Sequence, residues 1–179
     1  RLGVQVDIIP SDEDGVLDVQ ALENAIDERV KLISISHVPT GGGLINPAQA
    51  IGKLAKAANI PFLLDACQSI GQLDVDMEAI GCDMACGTGR KYLRGPRGTG
   101  LLYVRDEWIE KLEPPMLDQL GADLISATEY RLRSDARRFE TWEQHFAGKG
   151  ALALAMDYAS QIGPARIEGQ IRYLAAQLR

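Results

Sequence analysis

The chain contains few of the residues that most directly indicate a chemical function. Among 179 residues there are two histidines and three cysteines, and aromatic side chains make up 6%. Cys67, Cys82 and Cys86 are an odd number and fall in strand-like segments, which favours buried free thiols over disulfides. Their spacing with the two histidines matches no standard zinc pattern, so we predict no metal site.

Positive charge and long apolar runs are also lacking. Lys and Arg number 19 against 25 Asp and Glu, which gives a net charge of -6 and no support for a nucleic-acid partner. No apolar run approaches the roughly 18 residues that span a bilayer, and the N-terminus lacks the charged-then-apolar pattern of a signal peptide. We therefore expect a cytoplasmic protein with no nucleic acid and no membrane among its partners.

What is present is the pattern of an α/β fold. The apolar fraction of 46% is enough for one domain with a sizeable core. Short apolar runs rich in β-branched residues alternate with amphipathic stretches, which predicts a three-layer α/β/α architecture with a mostly parallel sheet. The nearly continuous apolar character of the short runs predicts strands buried on both faces. The predicted strands cover residues 4–9, 31–36, 62–66, 83–87 and 100–104.

Helix start signals lie between these strands. Asp18 precedes a predicted helix over 19–27, and Asn46 followed by Pro47 predicts the cap and first turn of a helix to about residue 58. The remaining predicted helices cover 76–80, 107–112, 147–162 and, after the interruption at Gly163-Pro164, the residues to 179. Because no helix lies between the last two strands, the final strand is either antiparallel or a neighbour reached by a functional loop.

Ligands of parallel α/β sheets bind outside the carboxyl ends of the strands, so the residues that follow each strand are the first candidates. One strand runs into Asp65-Ala66-Cys67-Gln68. A carboxylate at the mouth of an apolar sheet needs a cation or several donors, because burying its charge alone is costly. Taken alone, Asp65 is more simply interpreted as a cap for the next turn.

The following strand opens into a loop with four cations and four glycines among its 13 residues, 88–100. Glycines let the backbone approach a ligand closely, and the cations favour an anion. The spacing fits neither the P-loop nor the dinucleotide glycine pattern, so ATP and NAD are poorly supported. A basic surface loop is the alternative. A third strand end, His37-Val38-Pro39-Thr40 followed by three glycines, adds polar groups at the same predicted edge.

These motifs together resemble one family. Asp65-x-x-Gln68, Thr88-Gly89-Arg90-Lys91 and the Gly-Pro-Arg-Gly-Thr-Gly run over 95–100 resemble the class V aminotransferase and cysteine desulfurase family. The resemblance implies a pyridoxal-5′-phosphate (PLP) enzyme of fold type I. It implies that 1–145 form part of the PLP-binding large domain and that 146–179 are helices leading towards the small C-terminal domain. Since the chain begins near a strand-like run and stops inside a helical pattern, we expect it to be incomplete, with the family's N-terminal and C-terminal regions absent.

The resemblance assigns the central residues of the site. Lys91 occupies the family's place for the lysine that forms a Schiff base with PLP. Asp65 matches the carboxylate that keeps the pyridine nitrogen protonated and so preserves the electron sink. Gln68 matches the partner of the phenolic oxygen.

The resemblance also assigns residues around the cofactor's edge. Thr88 matches the phosphate ligand, and Arg90, where most members have His, supplies a permanent cation for the phosphate. Thr40 stands where many desulfurases have Asn near the cofactor oxygen. His37 lies three residues earlier and is a further candidate for binding the cofactor.

The reaction outcome stays open at the level of sequence. Residues 140–143 depart from the desulfurase Gly-Thr-Pro-Asn-like segment. Together with Arg90, this ranks a class V aminotransferase-like or carbon–sulfur lyase activity above cysteine desulfuration. The resemblance implies a small amino-acid substrate and a homodimer. A relative that binds no PLP and acts as a structural or interaction protein is the alternative of another class.

Overall fold

The computed structural model describes residues 3–41 and 43–178. Its helices are α1 Val19–Ala25, α2 Ala48–Ala57, α3 Met77–Ile80, α4 Asp106–Ile109, α5 Phe146–Ile162 and α6 Pro164–Leu178, with a 3₁₀ turn at Ala136–Phe139. Its strands are β1 Ile33–Ser36, β2 Phe62–Asp65, β3 Met84–Thr88, β4 Gly100–Val104, β5 Ala122–Leu124 and β6 Tyr130–Leu132. None of the described helices is both long enough and apolar enough to cross a membrane.

The main sheet has the strand order β1-β2-β3-β4. The pairs β1–β2 and β2–β3 are parallel, and β3–β4 is antiparallel. The α/β class with a mostly parallel sheet is therefore confirmed, and of the two alternatives for the last strand the antiparallel one is correct. β5 and β6 form a separate antiparallel pair between the segments predicted as helices over 107–112 and 147–162.

The core lies on one face of the main sheet. Two strands supply the buried side chains Ile33, Ile35, Phe62 and Leu64, which pack with buried residues of three helices. These are Leu22 of α1, Ala48, Ile51 and Ala55 of α2, and Ile80 of α3. The alternate residues of the strands are exposed or half-buried, so the prediction of strands buried on both faces is wrong for the part of the chain that the structure describes. The physical reason is that α1, α2 and α3 all pack on the same face.

The first predicted strand is also wrong. Residues 4–9 form no strand, and the side chains of Val4, Val6 and Ile8 are 78%, 82% and 90% exposed. Apolar alternation indicates which side chains share a face, but a strand exists only where its N–H and C=O groups pair with a neighbour. Within residues 3–41 and 43–178, no strand pairs with this segment.

Helix start signals were predicted with mixed success. The Asp18 side chain caps α1 by accepting a hydrogen bond from the Ala21 N–H at 3.0 Å. The predicted interruption at Gly163-Pro164 is present, with α6 beginning at Pro164 itself. Asn46, however, does not cap α2. Its Oδ1 accepts from the Leu17 N–H at 2.9 Å and its Nδ2 donates to the Ser36 carbonyl at 2.7 Å. Asn46 thus ties the end of β1 to the segment before α1, a long-range role that competes with capping.

Candidate functional site

A row of three polar side chains crosses the sheet on its less covered face. Ser36 of β1 is the direct partner of Asp65 in β2, and Asp65 is the direct partner of Cys86 in β3. Side chains directly opposite one another in neighbouring strands point to the same face. The register therefore gathers a hydroxyl, a carboxylate and a thiol beside one another near the carboxyl ends of three parallel strands.

Asp65 is held by neutral donors on both oxygens. Its Oδ1 accepts from the Cys67 backbone N–H at 2.9 Å, and its Oδ2 accepts from the Ser36 hydroxyl at 3.3 Å. The first of these bonds is the turn cap that the simpler interpretation predicts. Asp65 forms no salt bridge with any residue that the structure describes. The carboxylate is therefore oriented without being neutralised, and it remains available to a cationic N–H group of a ligand.

Two thiols flank this carboxylate. The Sγ atoms of Cys67 and Cys86 and a carboxylate oxygen of Asp65 all lie within 4.8 Å of one another. Burial, together with a hydrogen bond to Asp65, raises the pKa of Cys67 to about 11. Burial and the nearby Asp65 charge also raise the pKa of Cys86. Both groups are therefore neutral thiols near pH 7, and neither is an activated nucleophile.

Thr40 and Gln68 are brought into direct contact although they lie 28 residues apart. The Gln68 Nε2 donates to the Thr40 hydroxyl at 2.9 Å. This bond links the segment after β1 to the turn after β2. Two residues that the sequence assigned to the same oxygen of a cofactor thus share one location.

His37 lies at the same strand end, but its ring is buried. It is 8% exposed, its backbone N–H donates to the Asp65 carbonyl at 2.9 Å, and its Nδ1 has no partner among the described residues. Burial lowers the pKa of His37 below its ordinary value of 6.5, against the opposing charge of Glu168. The imidazole is therefore neutral near pH 7, and its role towards a cofactor stays a prediction.

Lys91 lies on the loop between β3 and β4, in a tight turn. The Arg94 N–H donates to the Lys91 carbonyl at 2.9 Å, and Arg94 has φ of 62°, a left-handed conformation unusual for a residue with a side chain. Lys91 is half-buried at the wall of a cavity of about 680 Å³ whose other side is formed by the end of α5 and the start of α6. Lys91 follows the end of β3 by three residues, and β3 is the parallel neighbour of the strand that ends at Asp65, so the two residues follow neighbouring strand ends.

The remaining predicted ligands occupy the same loop. Thr88 ends β3 opposite Gly100, and Arg90 is exposed and forms no salt bridge with a described residue. The sequence suggested that the glycines of this loop let the backbone approach a ligand, but not all of them serve that purpose. A Cβ on Gly89 would lie 2.3 Å from the Thr99 hydroxyl and 2.9 Å from a Leu152 methyl group. Gly89 is therefore required for packing the loop against α5.

Sequence reasoning missed the side chains that surround Asp65. Ser36, Cys67 and Cys86 were not assigned to the site, although Cys67 follows Asp65 by two residues and so had a local signal. The other two come from neighbouring strands, and only the strand register shows that they flank Asp65.

Gly71 packs directly against the backbone of the loop that carries Lys91. Its φ is +87°, and a Cβ would lie 2.7 Å from both the Leu93 nitrogen and the Tyr92 carbonyl carbon. Because both obstacles are backbone atoms, Gly71→Ala combines conformational strain with a clash, and we expect it to destabilise the complete protein by about 2–4 kcal/mol. Denaturant unfolding measures this loss.

Gly98→Ala is the matched control for that substitution. Gly98 has φ of +78°, but nothing lies within 4 Å of the position that its Cβ would take. The control therefore carries the strain alone, and we expect about 1 kcal/mol. Equal losses for the two variants would contradict the clash at Gly71.

Comparison with known proteins decides the family. The profile of the family described as Aminotransferase class-V matches residues 1–179. The chain belongs to the class V aminotransferase family. Members of this family depend on PLP, so the prediction of the cofactor is confirmed at the level of the family.

Relatives of this class V chain are described as cysteine desulfurases. The chain is 36% identical over 168 residues to a probable cysteine desulfurase of Methanothermobacter thermautotrophicus, covering 93% of this chain and 42% of the relative. It is 33% identical over 177 residues to a cysteine desulfurase of Cronobacter sakazakii, covering 98% of this chain and 43% of the relative. The chain thus spans less than half the length of these curated relatives.

A solved structure supports the fold of the class V chain. The apo structure of a cysteine desulfurase from Thermococcus onnurineus matches with a TM-score of 0.90 and 32% identity, covering 98% of this chain and 44% of that one. This likeness confirms the predicted α/β architecture of PLP fold type I, with a mostly parallel sheet.

Proposed function

We propose that the complete protein is a PLP-dependent enzyme that acts on a small amino-acid substrate. One observation carries the proposal: Asp65 is an oriented carboxylate with neutral donors only at the end of β2, and Lys91 follows the end of the neighbouring strand β3 by three residues. A structural or interaction relative without PLP has no need to keep, at neighbouring strand ends, a half-buried lysine and a carboxylate that forms no salt bridge with a described residue.

The donor set fits the functional groups of PLP. Asp65 offers a negative charge to the protonated pyridine nitrogen, and Ser36 and the Cys67 N–H hold that carboxylate in place. The Gln68 amide, braced by Thr40, is a donor for the phenolic oxygen. Thr88 and Arg90 supply a hydroxyl and a cation for the phosphate. His37 stays a candidate for binding the cofactor, but it is not assigned to a particular atom of PLP.

Lys91 is the proposed catalytic residue. When bound, PLP supplies an electron sink for charge that develops at the substrate Cα. Lys91 would hold the cofactor through its amine, and the same amine would hold and move the proton at the substrate Cα. Asp65 would supply the negative charge that keeps the ring nitrogen protonated. The tight turn from Lys91 to Arg94 limits the positions that the amine can reach.

Three reaction types, in two groups, remain as candidates. Arg90 and residues 140–143, which depart from the desulfurase pattern, support an aminotransferase-like or carbon–sulfur lyase activity. The relatives described as cysteine desulfurases support desulfuration of cysteine as the second candidate. With cysteine as substrate, alanine as the product marks desulfuration, and pyruvate with ammonia marks the lyase. Transfer of the amino group to an added 2-oxo acid marks the aminotransferase.

The arrangement of the complete protein is part of the proposal. We infer that residues 1–145 belong to the PLP-binding large domain and that α5 and α6 lead towards a small C-terminal domain. A cytoplasmic homodimer is the proposed form. A monomer in sedimentation at working concentration would contradict the dimer.

The test of the proposed function is an absorbance spectrum of the complete protein with PLP, before and after borohydride reduction. We expect an absorbance band at longer wavelength than that of the protein alone, and we expect it to disappear on reduction. Peptide mapping should then find the reduced cofactor attached to Lys91. A folded protein with no such band would instead favour a structural or interaction relative. Fixation onto a different lysine would refute the assignment of Lys91.

A further inference from the structure

Asp65, Cys67 and Cys86 form a compact cluster of side chains whose donor atoms could hold a metal ion. We propose that these three side chains form a binding site for a thiophilic divalent cation such as Zn²⁺ or Cd²⁺, and that this cation and PLP exclude one another. Cation binding stands on the geometry of the chain alone. The competition with PLP rests on the proposed function.

The cluster is built by rigid elements. Asp65 and Cys86 are direct partners in the parallel pair β2–β3, so the register fixes their separation. Cys67 follows in the turn after β2, where its own N–H bonds to the Asp65 Oδ1 at 2.9 Å. Donor atoms held by strands and a bonded turn lose little freedom when they bind an ion.

The separations suit a tetrahedral ion. Zinc lies about 2.3 Å from thiolate sulfur and about 2.0–2.2 Å from carboxylate oxygen, which puts tetrahedral ligand atoms roughly 3.5–3.8 Å apart. The three donor atoms here lie within 4.8 Å of one another, so side-chain rotations of about 1 Å close the site. Among residues 3–41 and 43–178, no other group of three His, Cys, Asp or Glu side chains is this compact.

The ligand chemistry selects the class of cation. On binding, the cation displaces the protons of the two thiols, which are released to solvent. The resulting thiolates favour zinc, cadmium and other thiophilic ions over magnesium or calcium, which prefer oxygen ligands. Three protein ligands leave the fourth position to water. All three side chains are half-buried, so an ion can reach them from solvent.

Mutual exclusion follows from the shared carboxylate. A cation bound to Asp65 consumes the negative charge that the protonated pyridine nitrogen requires, and it adds positive charge at the same place. The site is therefore expected to fill in the protein without PLP and to empty as PLP binds.

The first test is a titration of the complete protein, freed of PLP, with Cd²⁺. Thiolate–cadmium bonds absorb in the ultraviolet, so the spectrum reports sulfur ligation directly. We expect saturation at one ion per chain, and we expect Cys67→Ser and Cys86→Ser each to weaken binding by more than about tenfold, since even partners outside the ligand set contribute about 10–100-fold. Asp65→Asn should weaken binding while retaining the sulfur band.

Cys82→Ala is the matched control. Cys82 is fully buried and contacts the Met77 sulfur instead of the cluster. Removing this third thiol should leave the titration unchanged. Thermal unfolding of every variant shows whether it is folded, and Cys86→Ala replaces Cys86→Ser if the serine variant is not.

Three outcomes would overturn the proposal. They are the absence of a saturable sulfur band, binding that persists unchanged in both Cys67→Ser and Cys86→Ser, and a cadmium affinity that saturating PLP does not reduce. The failure of the proposed function is distinguishable from these results. A protein that shows no PLP band but titrates with Cd²⁺ through Cys67 and Cys86 would refute the enzyme and retain the metal site.

Discussion

Replacing Lys91 by alanine is expected to lower the turnover of the complete protein by about a thousandfold or more. A positioned proton-transfer group typically contributes about 10²–10⁴-fold, and Lys91 is also the proposed attachment point of the cofactor. The substitution removes the amine but leaves Asp65, Gln68 and Thr40 in place, because their contacts do not involve Lys91. Steady-state turnover with saturating PLP and an amino-acid substrate measures the effect.

Two further variants separate the amine from the charge. Lys91→Arg keeps a positive charge but supplies no amine that can lose its proton near pH 7, so it should be as inactive as Lys91→Ala. Lys53→Ala removes an exposed lysine of α2 that is not among the proposed site residues, so it should leave turnover unchanged. Turnover in Lys91→Ala within tenfold of the parent would remove Lys91 from the mechanism.

The site could be predicted from the sequence to the extent that it lies at strand ends. Asp65 and Lys91 follow apolar runs that do form β2 and β3, so their common edge was accessible from pattern alone. The sequence indicated that Gln68 and Thr40 lie near each other, but it did not indicate the hydrogen bond between them. Ser36 and Cys86 could not be found, because the register of neighbouring strands depends on packing over long sequence separations.

The errors in the fold have the same physical origin. Residues 4–9 alternate as a strand would, and Asn46 precedes Pro47 as a cap would, yet each outcome depends on a distant partner. The first segment has no paired strand among the described residues, and Asn46 bonds to Leu17 and Ser36 instead of its own helix. Local patterns predict what a segment can form, whereas hydrogen bonds with distant residues decide what it does form.

Phe62 is the residue at which the fold and the site depend on each other most. It is fully buried in the core face of β2, three residues before Asp65, and it packs within the cluster that includes Ile51 and Leu64. Phe62→Ala should lower the free energy of unfolding by about 3–5 kcal/mol, because it removes a large apolar side chain and leaves a cavity that a central strand cannot close. Urea unfolding of the complete protein, with and without PLP, measures the loss.

Phe62→Leu at the same position tests whether the cavity is the cause. Leucine refills most of the volume, so the loss should fall to about 1 kcal/mol. The Phe62 N–H bond to the Asp83 carboxylate, 2.9 Å, uses only the backbone and survives both substitutions, so the position of β2 beside β3 should be kept. Equal losses for the two variants would mean that the aromatic ring itself, and not the filled volume, stabilises β2. A loss below about 1 kcal/mol for Phe62→Ala would mean that the core under Asp65 rearranges freely, which is incompatible with a carboxylate held in a fixed position by this strand.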